Sequence, residues 1–156
     1  MIHPLIRAAT TDDAHALSAL IQDAVRTTNS RDYGPAIIDA ICANFTRDKV
    51  IEKMSQRDVF VAASEASVLG TVSLATISPD AGRLHSMFVA PRHQGGGIGR
   101  RLVQHLERHA ASKGLSQLSL SSSITARPFY AKLGYALVRF EDRPDGSTFL
   151  MSKSLL

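Results

Sequence analysis

The segment Met87-Phe88-Val89-Ala90-Pro91-Arg92-His93-Gln94-Gly95-Gly96-Gly97-Ile98-Gly99-Arg100-Arg101-Leu102 reads as a strand, a glycine turn and the opening of a helix. The first N–H groups of a helix have no partner within it, and the helix dipole adds positive potential there. Glycines let the chain curl so that several N–H groups converge, and they leave room for a phosphate. Arg92, His93, Arg100 and Arg101 bracket the turn with more positive charge. These are the ingredients of a pyrophosphate site. A glycine cluster alone would read as a flexible surface loop. Here the strand before it, the helix after it and the surrounding charge all favour an anion site.

Two familiar nucleotide signatures fail on this turn. A P-loop needs Gly-Lys-Ser/Thr at the helix start, whereas the turn offers Gly-Ile-Gly-Arg-Arg. A dinucleotide fingerprint needs Gly-x-Gly-x-x-Gly. Counting from Gly95, Arg100 takes the third glycine's place, and counting from Gly97, Leu102 does.

Charge is distributed around the same segment. The chain has 156 residues and a net charge of +4. Residues 1–80 carry 7 basic and 10 acidic side chains, whereas residues 81–140 carry 9 basic side chains and only Glu107. No acid lies between Asp80 and Glu107. The basic excess therefore belongs to one stretch, and a bound anion explains it better than a generally basic surface. A hydrophobic fraction of 44% with 21% charge marks a globular chain long enough for a real core. One cysteine, Cys42, cannot form an internal disulfide; it lies on an apolar stripe and reads as a core residue. No run is long enough to span a bilayer, and Met1–Arg7 lacks a leader's apolar stretch, so a cytoplasmic location is expected. No repeat or linker divides the chain, which is expected to be one domain over residues 1–156.

Outward from the turn, the pattern alternates strands and helices. Leu5–Ala9 reads as a strand. Thr10 and Asp13 form a capping-box pattern before a helix with Ala14, Leu17, Leu20, Ile21, Ala24 and Val25 on one face. Pro35 opens a second helix with Ile37, Ile38, Ile41, Cys42 and Phe45 on its stripe, and Thr46 caps a third. Asp58–Ser64 and Ser67–Ile77 are strands joined by a turn at Glu65-Ala66. Pro79–Gly82 reads as a turn and Leu84–Ala90 as a strand. A helix over Gly99–Ser112 ends at Gly114. Leu115–Ser121 is a strand, and Ala126–Leu133 a helix with Thr125 as its cap and Pro128 in its first turn. Tyr135–Phe140 and Thr148–Lys153 are the last strands. Only the step through the Gly99–Ser112 helix reads as a parallel crossover, so a mixed sheet with helices on both faces is expected.

Gln94-Gly95-Gly96-Gly97-Ile98-Gly99 resembles the acyl-CoA motif of the GNAT superfamily of N-acetyltransferases, Arg/Gln-x-x-Gly-x-Gly/Ala. The strand Leu84–Pro91 is similar to the family's fourth strand. Phe129-Tyr130-Ala131-Lys132-Leu133-Gly134-Tyr135 resembles its late Phe-Tyr-x-Lys-x-Gly-Phe/Tyr motif. The element order agrees as well. The resemblance covers nearly the whole chain, with its specific motifs between Leu84 and Tyr135.

The resemblance implies an α/β (α+β) fold: a GNAT-type mixed, mostly antiparallel twisted sheet of about seven strands flanked by about four helices. It implies an enzyme that moves the acetyl group of acetyl-CoA to a primary amine by direct attack in a ternary complex. Backbone of Met87, Phe88 and Val89 would then bind pantetheine and aim an N–H at the acetyl carbonyl, although a plain buried strand would look the same. The turn from Gln94 through Gly95, Gly96, Gly97, Ile98 and Gly99 to Arg100 would hold the pyrophosphate. Tyr130 would protonate the departing thiolate. Periodicity alone would make it a core aromatic. Phe129 would pack against the cosubstrate or the core.

The base is less plain. Many relatives carry a glutamate near the fourth strand, and this stretch has no acid. His85 is the nearby substitute, set against a water chain or a remote acid such as Glu65. Many relatives have asparagine before the tyrosine helix. Here Ser123 either contacts CoA or caps that helix. The remaining histidines show no metal spacing: His105 and His109 are i,i+4 without a third ligand and read as surface residues, and no metal is expected. The expected partner is an amine-bearing small molecule or peptide, with no nucleic acid and no membrane, and a homodimer is left open. Two alternatives are a non-catalytic acyl-CoA sensor and a nucleic-acid binder, the latter without any DNA-reading motif in the sequence. Residues 29–57 are expected to shape the acceptor pocket, and their mixed charge names no acceptor.

Overall fold

The computed structural model describes residues 3–65 and 67–156. Its strands are β1 (Leu5–Ala8), β2 (Asp58–Ser64), β3 (Ser67–Thr76), β4 (Ala81–Val89), β5 (Gln117–Ser122), β6 (Ala136–Glu141) and β7 (Thr148–Ser154). Its helices are α1 (Ala14–Thr28), α2 (Pro35–Ala43), α3 (Arg47–Met54), α4 (Ile98–Ser112) and α5 (Arg127–Lys132). The strands form one sheet in the order β1-β2-β3-β4-β5-β7-β6. Every neighbouring pair is antiparallel except β4 and β5, which α4 joins as the expected crossover. The turn expected at Glu65-Ala66 includes Ala66, which lies outside the described residues.

The periodicities sort the helices onto the two faces. Leu102, Val103, Leu106 and Ala110 of α4 are fully buried against Val72, Leu74, Leu84, Leu118, Leu120 and Met151 of the sheet. Full burial of each such leucine stabilises by roughly 1.5–3 kcal/mol. The opposite face is covered by α1, α2 and α3, through Leu17, Val50 and Val61 in one cluster and Ile21, Val25, Ile38 and Cys42 in another. The capping pattern at Thr10 and Asp13 is present at the entrance to α1. The Asp13 carboxylate accepts the Thr10 N–H at 2.8 Å and pairs with both Arg7 guanidinium nitrogens at 2.8 and 3.0 Å. The hydrogen bond from Arg7 holds the Asp13 carboxyl below its ordinary range despite its burial.

β4 departs from the sequence expectation in a way that shapes the site. It starts at Ala81, not Leu84, so Gly82 lies within the strand. A Cβ there would sit 2.9 Å from methyls of Leu74 and Leu115 and 3.0 Å from Leu118. Gly82 records close packing from three sides, not a turn. Farther along, the register to β3 slips: Ser73 faces His85, but Thr71 faces Phe88. Ser86 sits in this bulge with φ 52°, a left-handed backbone for a side-chain-bearing residue. β4 pairs with β5 only over Ala81–Arg83 against Gln117–Ser119. Beyond that the two strands part.

Two smaller expectations are also corrected. Thr125 does not cap α5, because its hydroxyl and N–H both donate to Asp32, at 2.6 and 3.1 Å. Ser123 Oγ accepts the Ala126 N–H at 3.2 Å instead. His105 and His109 are not free surface residues. Both rings pack edge-on against Phe60, and His109 Nε2 lies 2.9 Å from Asp58.

Candidate active site

The parting of β4 from β5 opens a cleft of about 1090 Å³. Of the residues expected to bind the cosubstrate or act in catalysis, all line it except Gly96, which lies between Gly95 and Gly97 in the turn. The cleft therefore gathers His85, Met87, Phe88 and Val89 on β4, the glycine turn at the mouth of α4, and Ser123, Phe129 and Tyr130 across the gap.

The glycine turn is held at both ends. Gln94 Nε2 donates to the Val89 carbonyl at 3.3 Å and to Thr28 Oγ1 at 3.1 Å, tying the turn to β4 and α1. Gly97 takes a left-handed conformation (φ 86°) and caps α4. Among the described residues, the N–H groups of Gln94, Gly95, Gly96 and Gly97 make no hydrogen bond within the protein. The N–H groups of Ile98, Gly99 and Arg100 have no helical partner by geometry. A run of free donors thus ends the cleft at the positive pole of α4, and His93 and Arg100 line it. The other two bracketing cations do not line the cleft. Arg101 donates to the Pro4 carbonyl at 3.0 Å, and Arg92 is exposed outside the lining.

Gly99 answers a packing demand as well. A Cβ there would lie 3.2 Å from Phe129 Cζ and 3.5 Å from Val89 Cγ2. Phe129 therefore packs over the first turn of α4 and brings α5 close. Its ring meets Tyr130 edge-on at 5.1 Å, and Tyr130 meets Tyr135 at 5.9 Å. Tyr130 is both a core residue, 5% exposed, and part of the cleft wall. Its hydroxyl has no hydrogen-bond partner among the described protein groups, and burial pushes its pKa above the ordinary phenol value. It is a protonated donor at neutral pH.

His85 lines the opposite wall, half-buried. Burial first, then the charges of Arg57, Arg83 and Lys53, lower its pKa from 6.5 to about 4. The ring is neutral at pH 7, and burial and the neighbouring cations disfavour its protonation. The one acid in the lining is Glu107, and it is engaged: Tyr135 donates to its Oε2 at 2.8 Å and Lys153 at 2.9 Å. Glu65 is not part of the lining. No group of three His, Cys, Asp or Glu side chains suited to a metal occurs among the described residues. No helix among them is long and apolar enough to cross a membrane.

Sequence reasoning missed four lining groups. Arg83 stands two residues before His85 on the same strand, and its guanidinium bonds Ser121 Oγ on β5. Tyr33 donates from its hydroxyl to the Ser147 carbonyl at 2.7 Å, anchoring the α1–α2 connection over the cleft. Thr148 Oγ1 is buried without a hydrogen-bond partner. The alternation of Arg83 with His85 was readable; the contacts of Ser121, Tyr33 and Thr148 arise only between distant segments.

A sheet split at one parallel pair, with a donor-rich helix mouth at the end of the split, makes a cleft suited to an extended ligand that carries phosphate. Residues 29–155 match the family described as Acetyltransferase (GNAT) domain. The chain is 30% identical over 127 residues to an uncharacterized N-acetyltransferase, YafP, of Escherichia coli (strain K12), covering 81% of this chain and 77% of that protein. A GCN5-related N-acetyltransferase structure from Rhodopseudomonas palustris superposes with a TM-score of 0.86 at 23% identity, covering 99% of this chain and 97% of that one. The PaiA N-acetyltransferase of Thermoplasma acidophilum, solved with coenzyme A, superposes with a TM-score of 0.84 at 20% identity, covering 98% and 99%. The chain belongs to the GNAT acetyltransferase family and is an acetyl-CoA-dependent acyltransferase.

Proposed function

We propose that residues 1–156 act as one cytoplasmic unit that transfers the acetyl group of acetyl-CoA directly to a primary amine in a ternary complex. The observation that carries this reading is the position of the Tyr130 hydroxyl. It is unpartnered, protonated and set in the wall of a cleft that ends in free backbone donors.

In this reading the N–H groups from Gln94 to Arg100 hold the pyrophosphate, and Arg100 adds charge. The pantetheine arm lies along Met87, Phe88 and Val89, on the edge of β4 that β5 leaves unpaired. Phe129 and Ser123 flank it, Ser123 through the same hydroxyl that accepts the Ala126 N–H ahead of α5. A backbone N–H of the bulged strand stabilises the oxygen that becomes negative as nitrogen attacks the thioester carbon. The new C–N bond forms, the C–S bond breaks, and Tyr130 gives its proton to the departing sulfur. His85 accepts the proton that the nitrogen loses. The phenolate regains a proton from solvent before the next turnover. No metal takes part. A homodimer is proposed as well. The sheet ends at β6, where Leu137, Val138 and Phe140 are each about half exposed, and a second copy would cover that edge.

The test is thiol release from acetyl-CoA across a panel of amines that includes amino acids, amino sugars, polyamines and peptides with free N-termini. A co-crystal with CoA completes it. Acetylation of at least one amine is expected, with the pyrophosphate at Gln94–Arg100. A pyrophosphate bound elsewhere refutes the site.

A further inference from the structure

The acceptor half of the cleft has the wrong charge for a simple amine. An ammonium group is drawn to carboxylates, yet the cationic or potentially cationic lining groups are Arg83, His85, His93, Arg100, Lys132 and Lys153, against one acid. That acid, Glu107, already serves Lys153 and Tyr135. His93 and Arg100 sit at the glycine turn, where the phosphates of the cosubstrate account for them. Arg83 does not. It closes the β4–β5 pairing, six residues before the end of β4 at Val89, which is roughly 20 Å of strand at about 3.3 Å per residue.

Arg83 is half-buried, its guanidinium satisfied only by Ser121 Oγ, with no carboxylate at ion-pair distance among the described residues. Two further cations, neither of them in the cleft lining, act on the same histidine as Arg83. Arg57 is half-buried and makes no ion pair among the described residues, and burial lowers its pKa. Lys53 is bonded to the Asn44 carbonyl at 2.9 Å and lies over the Phe45 ring. The charges of all three reach His85. Glu52 lies close enough to act on Lys53, but Arg83 and Arg57 have no carboxylate partner among the described residues, and a half-buried cation is stabilised by an anion that joins it. The acetyl end of the cosubstrate brings no negative charge, so the anion has to arrive with the acceptor.

We propose that the acceptor is an amine that also carries an oxyanion, a carboxylate or a phosphate, and that Arg83 binds this group while Arg57 and Lys53 add positive potential. The inference rests on the acetyl-transfer reading and names its substrate class. A planar guanidinium suits either oxyanion through paired N–H donors. The same anion would offset the repulsion that the three cations exert on a proton arriving at His85. Polycationic acceptors are disfavoured by the same charges.

Direct binding decides the matter. Acceptors are titrated calorimetrically into the full-length protein saturated with CoA, in matched pairs: phenylalanine against phenylalaninamide, and glucosamine 6-phosphate against glucosamine, with spermidine as the polycation. In at least one pair the anionic member is expected to bind about tenfold or more tightly than its partner, as for a charge-assisted hydrogen bond. The pair that shows the difference identifies carboxylate or phosphate. Arg83→Gln should bring the two members of that pair within about threefold of each other, and Arg83→Lys should keep part of the preference. If Arg83→Gln fails to fold, the wild-type comparison and its weakening with added salt still decide. Equal or tighter binding of the neutral members, tightest binding of spermidine, or no binding of either anionic amine overturns the proposal. Thiol release is followed on the same pairs. Selective binding without acetylation would sink the acetyl-transfer reading alone, and acetylation of neutral amines without anionic preference would sink this one alone.

Discussion

Replacing Tyr130 with phenylalanine removes one oxygen from the cleft wall and leaves the ring packing intact. The hydroxyl makes no hydrogen bond to the described protein groups, so the change forfeits none of the roughly 1 kcal/mol that a protein hydrogen bond contributes. The edge-on contacts of the ring with Phe129 and Tyr135, at 5.1 and 5.9 Å, persist. Melting temperature is therefore expected to move by less than about 2 °C, and the Kd for CoA to stay within about twofold, because neither rests on that oxygen. Turnover is different. Loss of a positioned general acid costs about 10²–10⁴-fold in kcat, or about 3–5 kcal/mol of barrier. The raised pKa has a sign as well. A phenol held above its ordinary value stays protonated beyond pH 10, so Tyr130 itself should cause no decline in wild-type kcat up to that pH. The assay is stopped-flow thiol release at saturating acetyl-CoA and amine, beside calorimetric CoA binding and a thermal melt. A variant that keeps more than about a third of wild-type kcat would refute the acid role. A large fall in melting temperature would show that the hydroxyl holds the fold instead.

The remaining predictions concern a proton acceptor, a helix entrance and a strand. With His85 at about pKa 4, its ring accepts a proton above that pH and cannot below it, so its acid limb in kcat/KM should fall near pH 4; His85→Gln should remove that limb and lower kcat roughly 10²-fold, whereas a limb near 6.5 would contradict the placement. Asp13→Asn breaks the Arg7 pair and the Thr10 cap and should cost about 1–2 kcal/mol by urea denaturation at pH 7, a modest figure because the Arg7 side chain is 39% exposed. The folded pKa of Asp13 is lowered, so its contribution is present above the unfolded carboxylate value and lost as pH falls through the folded one; the variant and the wild type should converge in strong acid. Gly82→Ala forces a methyl to within 3.0 Å of three leucine methyls and should destabilise by about 1–3 kcal/mol, and an unchanged or higher melting temperature would show that the leucines move aside.

The sequence alone determined whatever depends on neighbours along the chain. Spacing of Leu102, Val103, Leu106 and Ala110 fixed the buried face of α4, and Gly95–Gly99 marked the donor-rich turn that opens it, because both follow from local backbone geometry. The Phe129–Tyr135 motif singled out Tyr130, although its periodicity could not separate core from catalysis; in the structure it is buried and also lines the cleft. What sequence could not determine depends on contacts between distant segments. Gly82 looked like a turn because its three leucine neighbours come from β3, β5 and the segment leading into β5. Thr125 looked like a cap because Asp32, which takes its hydroxyl, is 93 residues away. The insertion of β7 between β5 and β6 is likewise a matter of sheet pairing. Above all, the net charge of +4 was legible, and its excess in residues 81–140 pointed to the cosubstrate phosphates. Only the tertiary structure divided that charge. It turned Arg101 away to Pro4, left Arg100 at the helix mouth, and brought the charges of Arg83, Arg57 and Lys53 to bear on His85, with no carboxylate paired to Arg83 or Arg57 among the described residues. Side chains far apart in sequence share one electrostatic field only after the sheet and helices bring them together.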